Sequence, residues 1–125
     1  MTLDNRNLEE LVKRYLSTVV SGTADDVAAL YAEDASVEDP VGGGEVHVGR
    51  KAIAGFYKNT ESADLETELL QIRVGGREAA FAFAITVSVG GSKIRIEPIE
   101  VMTFDDSGHI TSMKAYWGPA DVTQL

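Results

Sequence analysis

Glu100, Asp39 and Tyr15 are the residues whose types and surroundings could do chemistry, because each falls on an otherwise apolar face. Glu100 lies in the stretch Ile94-Arg95-Ile96-Glu97-Pro98-Ile99-Glu100-Val101-Met102-Thr103-Phe104. Read as a strand, this stretch puts Ile94, Ile96, Pro98, Glu100, Met102 and Phe104 on one side. Lys93, Arg95, Glu97, Ile99, Val101 and Thr103 fall on the other, wetter side. An unpaired carboxylate is costly to bury, so such a group takes up a proton. A neutral carboxylic acid can then donate a hydrogen bond, which a carboxylate cannot. The competing readings are a register one residue off and a Glu paired to a buried Arg or Lys. In Ala35-Ser36-Val37-Glu38-Asp39-Pro40-Val41, Ala35, Val37, Asp39 and Val41 share the apolar side, so Asp39 is a second inward carboxylate. Pro40 cannot donate to a ladder and ends the strand near an edge, with Asp39 at the rim of the Gly42-Gly43-Gly44 loop. The bland alternative is an Asp-Pro turn. Tyr15 lies on the apolar stripe of a helix and needs a hydroxyl partner inside, commonly a backbone carbonyl. Together the three point to proton transfer on an apolar substrate: one carboxylate takes the proton and neutral donors hold an oxyanion.

The rest of the composition narrows the field. A chain of 125 residues fits a single domain, spanning 1–125, with one sizeable core. Eleven basic against twenty acidic residues give a net charge of −9, which argues against nucleic acid and anionic membrane surfaces. No cysteine is present, so neither disulfides nor thiolate chemistry is available. His47 and His109 cannot make a familiar zinc site without several carboxylates, and both read as surface residues. The polar start Met1-Thr2-Leu3-Asp4-Asn5-Arg6 lacks an apolar signal core, and no run reaches membrane-spanning length. The expectation is a soluble, cytoplasmic protein. Phosphate-binding glycine loops, CxxC and HExxH are all missing, and nothing sets either His beside an inward Ser.

The elements that must position these residues follow from periodicity. Leu8, Leu11, Val12, Tyr15, Leu16 and Val19 predict an amphipathic helix over 8–21, capped by Asn7 with Glu10 and ended by Gly22 as a left-handed cap. Thr23 and Asp26 open a second, short helix with Val27, Leu30 and Tyr31 inward. Gly49-Arg50 leads into a third, carrying Ile53, Phe56 and Tyr57. Strands follow over 65–74, then a strand lined by Ala79, Phe81, Phe83, Ile85, Val87 and Val89, then 94–104, then about 109–118 after the turn Asp105-Asp106-Ser107-Gly108. In the last strand Ile110, Ser112, Lys114 and Tyr116 oppose Thr111, Met113, Ala115 and Trp117, and 120–125 is expected to be loose. Helices first and hairpin-linked strands after predict an α+β domain, three helices on one face of a twisted antiparallel sheet that curls around an apolar pocket.

Several runs are similar to one known family. Lys13-Arg14-Tyr15 resembles its segment for the oxyanion-hole tyrosine. Leu30-Tyr31-Ala32-Glu33-Asp34-Ala35-Ser36-Val37-Glu38-Asp39-Pro40-Val41-Gly42 resembles, almost residue for residue, the segment carrying its catalytic base. Ala54-Gly55-Phe56-Tyr57, Pro98-Ile99-Glu100-Val101-Met102-Thr103-Phe104-Asp105 and Met113-Lys114-Ala115-Tyr116-Trp117 align as well. The family is the bacterial Δ5-3-ketosteroid isomerases (steroid Δ-isomerases) of the nuclear-transport-factor-2-like, SnoaL-like cone fold, and the resemblance covers essentially the whole domain. It implies Asp39 as general base and acid, and Tyr15 with protonated Glu100 as oxyanion hole. It further implies Tyr31 and Tyr57 as a hydrogen-bonded chain behind Tyr15. Phe83, Met102 and Trp117 would contact a flat ketosteroid-like substrate, the alternative for these three being core packing. No metal or organic cofactor is implied, and a homodimer is. That an acid is held neutral to donate a hydrogen bond belongs here to the resemblance, since the family is the standard case of it. The family carries aspartic acid where this chain has Glu100. The extra methylene shifts the donating oxygen, and a misplacement of about 1 Å can cost on the order of 10²-fold in rate. Fold alone decides little, because cone-fold proteins do many things. Another enzyme of the fold (a polyketide cyclase, dehydratase or epoxide hydrolase) and a non-catalytic binder of apolar small molecules are the alternatives.

Overall fold

The computed structural model describes residues 5–43 and 45–125, so the polar start Met1–Asp4 and Gly44 of the glycine loop lie outside the described residues. Helix α1 spans Asn5–Ser21, and its stripe Leu8, Val12, Tyr15 and Leu16 is buried. It already includes Asn7, which sits in the first turn and not at the expected cap. α2 (Ala24–Ala28) opens on Thr23 through a reciprocal capping box with Asp26. It stops before Tyr31, which was expected on the helix and instead starts strand β1 (Tyr31–Glu38) with no exposed surface. β2 (Val46–Val48) and α3 (Arg50–Lys58) follow, α3 burying Ile53 and Tyr57. The remaining strands are β3 (Asp64–Gly75), β4 (Glu78–Val89), β5 (Ser92–Ile96), β6 (Ile99–Phe104), β7 (Ile110–Tyr116) and β8 (Val122–Gln124). Among the described residues no helix is long and apolar enough to cross a membrane.

The sheet runs β2-β1-β7-β6-β4-β5-β8, with β3 along the other edge of β4. Three expectations change here. The stretch 94–104 is two strands, because Pro98 has no N–H to give and Glu97 turns its own N–H to the Asp121 carbonyl at 3.1 Å. β6 pairs with the first half of β4 and β5 with the second half, and the Pro98 carbonyl bridges the gap by accepting from the Phe83 N–H. An even number of residues separates the two strands, so the inward set Ile96, Pro98, Glu100 keeps one face across the break. The tail is not loose: Pro119–Asp121 forms a 3-10 turn and β8 pairs with β5. The sheet is also not wholly antiparallel, since β1 runs parallel to β7, Val37 beside Met113 and Glu38 beside Lys114.

A bulge sets the faces of β7. Thr103 pairs with Ser112 but Phe104 with Ile110, so Thr111 is the extra residue and Ile110 turns inward alongside Met113 and Ala115. The helices close the concave side, with Leu8, Val12, Tyr31, Val37, Ile53, Phe81, Met102 and Met113 filling the core.

Gly22 also departs from expectation. Its φ is not positive, so it is no left-handed cap; it is needed because a Cβ would lie 2.9 Å from the Thr18 carbonyl oxygen and 3.1 Å from the Asp26 side chain. Helix propensity alone favours alanine over glycine. The backbone contact predicts the opposite, so Gly22→Ala lowers stability by about 1 kcal/mol, read as a lower urea midpoint at unchanged m-value.

Candidate active site

The parallel pairing of β1 with β7 delivers Asp39. β1 ends at Glu38, and the chain stays on β7 through the Val41 N–H, which donates to the Ala115 carbonyl at 2.8 Å. Trp117 lies two residues beyond Ala115 on the same face, and its indole N–H donates to Asp39 Oδ1 at 2.6 Å. Trp117 was expected only as an apolar wall. A hydrogen bond to the base is a role that strand alternation could not disclose, because the partner depends on which strand lies alongside. Burial pushes the Asp39 carboxyl up, while the Trp117 N–H and the nearby His47 pull it back down.

Tyr15 enters from α1, Tyr57 from α3 and Tyr31 from β1. The Tyr57 hydroxyl lies 2.7 Å from that of Tyr15 and 2.7 Å from that of Tyr31. Three hydroxyls in a row can all point one way: Tyr31 donates to Tyr57, Tyr57 to Tyr15, and the Tyr15 proton is left for an acceptor in the pocket. Burial pushes all three phenols well above their ordinary value, so they stay neutral donors.

Glu100 arrives on β6, opposite Phe81 of β4 and Ala115 of β7. It is 3% exposed, and among the described residues no group hydrogen-bonds its Oε1. Among the described residues neither the buried Arg or Lys partner nor the register slip considered above is found. Burial pushes its carboxyl well up, and the negative charge of Asp39 adds to the effect. A buried polar atom without a partner is uncommon in a native fold.

One pocket of about 210 Å³ gathers these groups: Tyr15, Asp39, Tyr57, Glu100 and Trp117 all line it, with Phe83. The remaining wall includes Leu16, Val19, Ile85, Val87 and Ile96, so the polar groups sit in an apolar enclosure. Met102, expected on this wall, is not part of it. It faces the core with no exposed surface, because the pocket runs from Glu100 toward Ile96, away from Met102. Tyr31 reaches the site only through Tyr57. The histidines are half-buried and not fully on the surface: His47 stacks on Phe56 with ring centres 4.9 Å apart. In the β6–β7 turn the Ser107 hydroxyl lies 2.7 Å from both Asp105 Oδ1 and His109 Nδ1. There the serine stands between acid and imidazole, so no histidine-bridged nucleophile is formed.

The arrangement can hold a proton acceptor, Asp39, and two neutral donors, Tyr15 and Glu100, around one apolar ligand. Removing the indole donor takes away a group that favours ionised Asp39 over the neutral acid. Trp117→Phe therefore raises the Asp39 pKa, an upward shift to be read by carbon-13 NMR titration of labelled aspartate carboxyls; an unchanged or lower value would contradict the assignment.

The SnoaL-like domain family matches residues 12–113. The steroid Delta-isomerase of Nocardioides simplex is 49% identical over 111 residues, covering 89% of each chain. Among solved structures, the epoxide hydrolase/cyclase-like enzyme SalBIII, described in pyran ring formation in the polyether salinomycin, superposes with a TM-score of 0.88 at 28% identity, over 98% of both chains. The family match spans most of this domain, and the chain belongs to the SnoaL-like family.

Proposed function

We propose that this protein is a steroid Δ-isomerase, moving a C=C bond from Δ5 to Δ4 of a 3-ketosteroid. The observation that carries this reading is the buried Glu100 carboxyl, whose Oε1 no described residue hydrogen-bonds, sharing one apolar pocket with Tyr15 and Asp39. The 49% identity to a steroid Delta-isomerase supports it. Ionised Asp39 removes a proton from the carbon alpha to the ketone, and the electron pair moves onto the carbonyl oxygen to give a dienolate. That oxygen accepts hydrogen bonds from Tyr15 and from neutral Glu100. Asp39, now protonated, returns the proton at the gamma carbon, so one carboxylate serves as base and then acid and nothing is consumed. The Trp117 N–H orients Asp39 and favours its ionised form before the reaction. Tyr31 and Tyr57 keep the Tyr15 oxygen supplied with a donor, which strengthens its own proton for the oxyanion. Excluding water from the apolar enclosure makes both donors more effective than they would be in solvent.

A second reading draws on the likeness to SalBIII. Asp39 would activate a nucleophile while Glu100 protonates an epoxide oxygen, which uses the same two carboxyls in the same two states. Substrate choice separates the two readings.

The test follows the absorbance of the conjugated enone as the purified protein meets 5-androstene-3,17-dione. Wild type converts it, Asp39→Asn collapses the rate, and Tyr15→Phe lowers kcat by about 10²–10³-fold, the usual loss for one oxyanion-hole donor. Folded wild type without conversion would remove the steroid reading.

A further inference from the structure

β2 carries one ionisable side chain, His47, and its register with β1 fixes where that side chain lies. Val37 pairs with His47, and Glu38 with Val46. Directly opposed residues share a face of a sheet, so His47 is on the concave side with buried Val37, while Glu38 and Val46 fall on the outer side. Asp39, a pocket-lining residue, is the next inward position after Val37. It is thus the diagonal neighbour of His47, at about the 7–8 Å that such positions keep between Cα atoms. α3 closes over the same place. The His47 ring is half-buried and stacks on Phe56 with ring centres 4.9 Å apart, and Phe56 lines the pocket together with Asp39. His47 itself does not line the pocket, so it reaches the reacting centre through Asp39 and Phe56.

The other ionisable groups around this pair do not supply a second cation. Asp39 shares its pocket with Glu100 of β6, Tyr15 of α1 and Tyr57 of α3, all of them acids. On α3, Arg50, Lys51 and Lys58 line a groove against α2, on the face of the helix away from Phe56. Arg14 of α1 lines a separate cavity beside the β6–β7 turn. On β1, Glu38 turns outward, accepts the Gly42 N–H and lies beside Lys114 of β7, while Glu33, Asp34 and the Glu45 that precedes β2 are exposed. Among the described residues His47 is therefore the group beside Asp39 that can carry positive charge, and that charge draws the Asp39 carboxyl down against its burial.

We propose that His47 is a positioning residue for the base. Its ring braces Phe56 at the pocket wall beside Asp39, and its protonated form keeps Asp39 a carboxylate toward acid pH. The protein thus holds a working base in more acidic medium than the burial of Asp39 alone would allow. The use made of Asp39 rests on the isomerase reading; the pairing of His47 with Asp39 does not.

Three variants test it. His47→Phe keeps a ring to stack on Phe56 and lacks the charge, His47→Gln lacks both, and His47→Arg keeps a flat stacking group with a permanent charge. Carbon-13 NMR titration of labelled aspartate carboxyls, with the Asp39 signal identified by its loss in Asp39→Asn, reads the base directly. Asp39 takes up its proton at higher pH in His47→Phe and His47→Gln than in wild type, and at no higher pH in His47→Arg. With 5-androstene-3,17-dione the acid limb of kcat/KM moves the same way. On that limb His47→Phe loses about two- to fivefold and His47→Arg recovers the loss. An unmoved Asp39 titration in either folded neutral variant, or an upward move in His47→Arg equal to theirs, overturns the proposal. A titration that follows His47 in a protein without turnover sustains His47 and removes the isomerase. Turnover with an unmoved titration does the reverse.

Discussion

The structure depends on one expensive placement: a carboxyl group on the apolar face of β6, almost wholly buried, with an oxygen that no described group satisfies. Water would hold Glu100 as a carboxylate. The interior favours the acid, and the charge of Asp39 in the same pocket pushes the same way. The stability cost has a definite sign. The folded state keeps the Glu100 proton at pH values where the unfolded chain has lost it, so stability falls as pH rises above the ordinary glutamate range, about 4.3, toward the raised folded value. The fold carries this cost at the place where the proposed reaction needs a neutral donor. Asp39 meets the opposite requirement, because the Trp117 N–H and His47 offset part of its burial. Environment thus sets two carboxyls of similar chemistry apart, as the proposed division into acid and base requires.

Everything around the pair keeps those environments distinct. The long strand β4 gives the pocket its straight wall, and the break between β5 and β6 moves the partner strand without changing its inward face. Parallel pairing of β1 with β7 carries Asp39 past the end of its own strand to Trp117. Two helices and strand β1 bring tyrosines from separate parts of the chain into one hydroxyl row, and that row can leave a single proton facing the pocket. A shift of β6 by one residue would put Ile99 inward and Glu100 into solvent, removing acid and pocket polarity together.

Much of this was legible in the sequence, because strand alternation is a strong periodic signal. Glu100, Asp39, Tyr15 and Phe83 all lie where alternation or the helical stripe puts them. The parity of Glu100 survived a strand break that the sequence reading missed, since two residues restore the face. What the sequence concealed depends on long-range pairing. β8 forms only because β5 offers it an edge, and the Trp117 hydrogen bond exists only because β1 lies parallel to β7. Met102 shares a face with Glu100, yet belongs to the core, because alternation separates inside from outside and says nothing of which inward residues border a cavity. Gly22 looked like a cap by residue type, whereas a neighbouring carbonyl decides it.

The central claim is that Glu100 is a neutral acid at pH 7 in the folded protein, and infrared spectroscopy reads that state directly. Protein labelled with carbon-13 at glutamate side-chain carboxyls is compared with equally labelled Glu100→Gln across a pH titration. The account predicts a carboxylic-acid C=O band at pH 7 in wild type that is missing from the variant. Disappearance of that band in the ordinary glutamate range, near pH 4.3, would contradict it, because an ionised Glu100 cannot donate to an oxyanion.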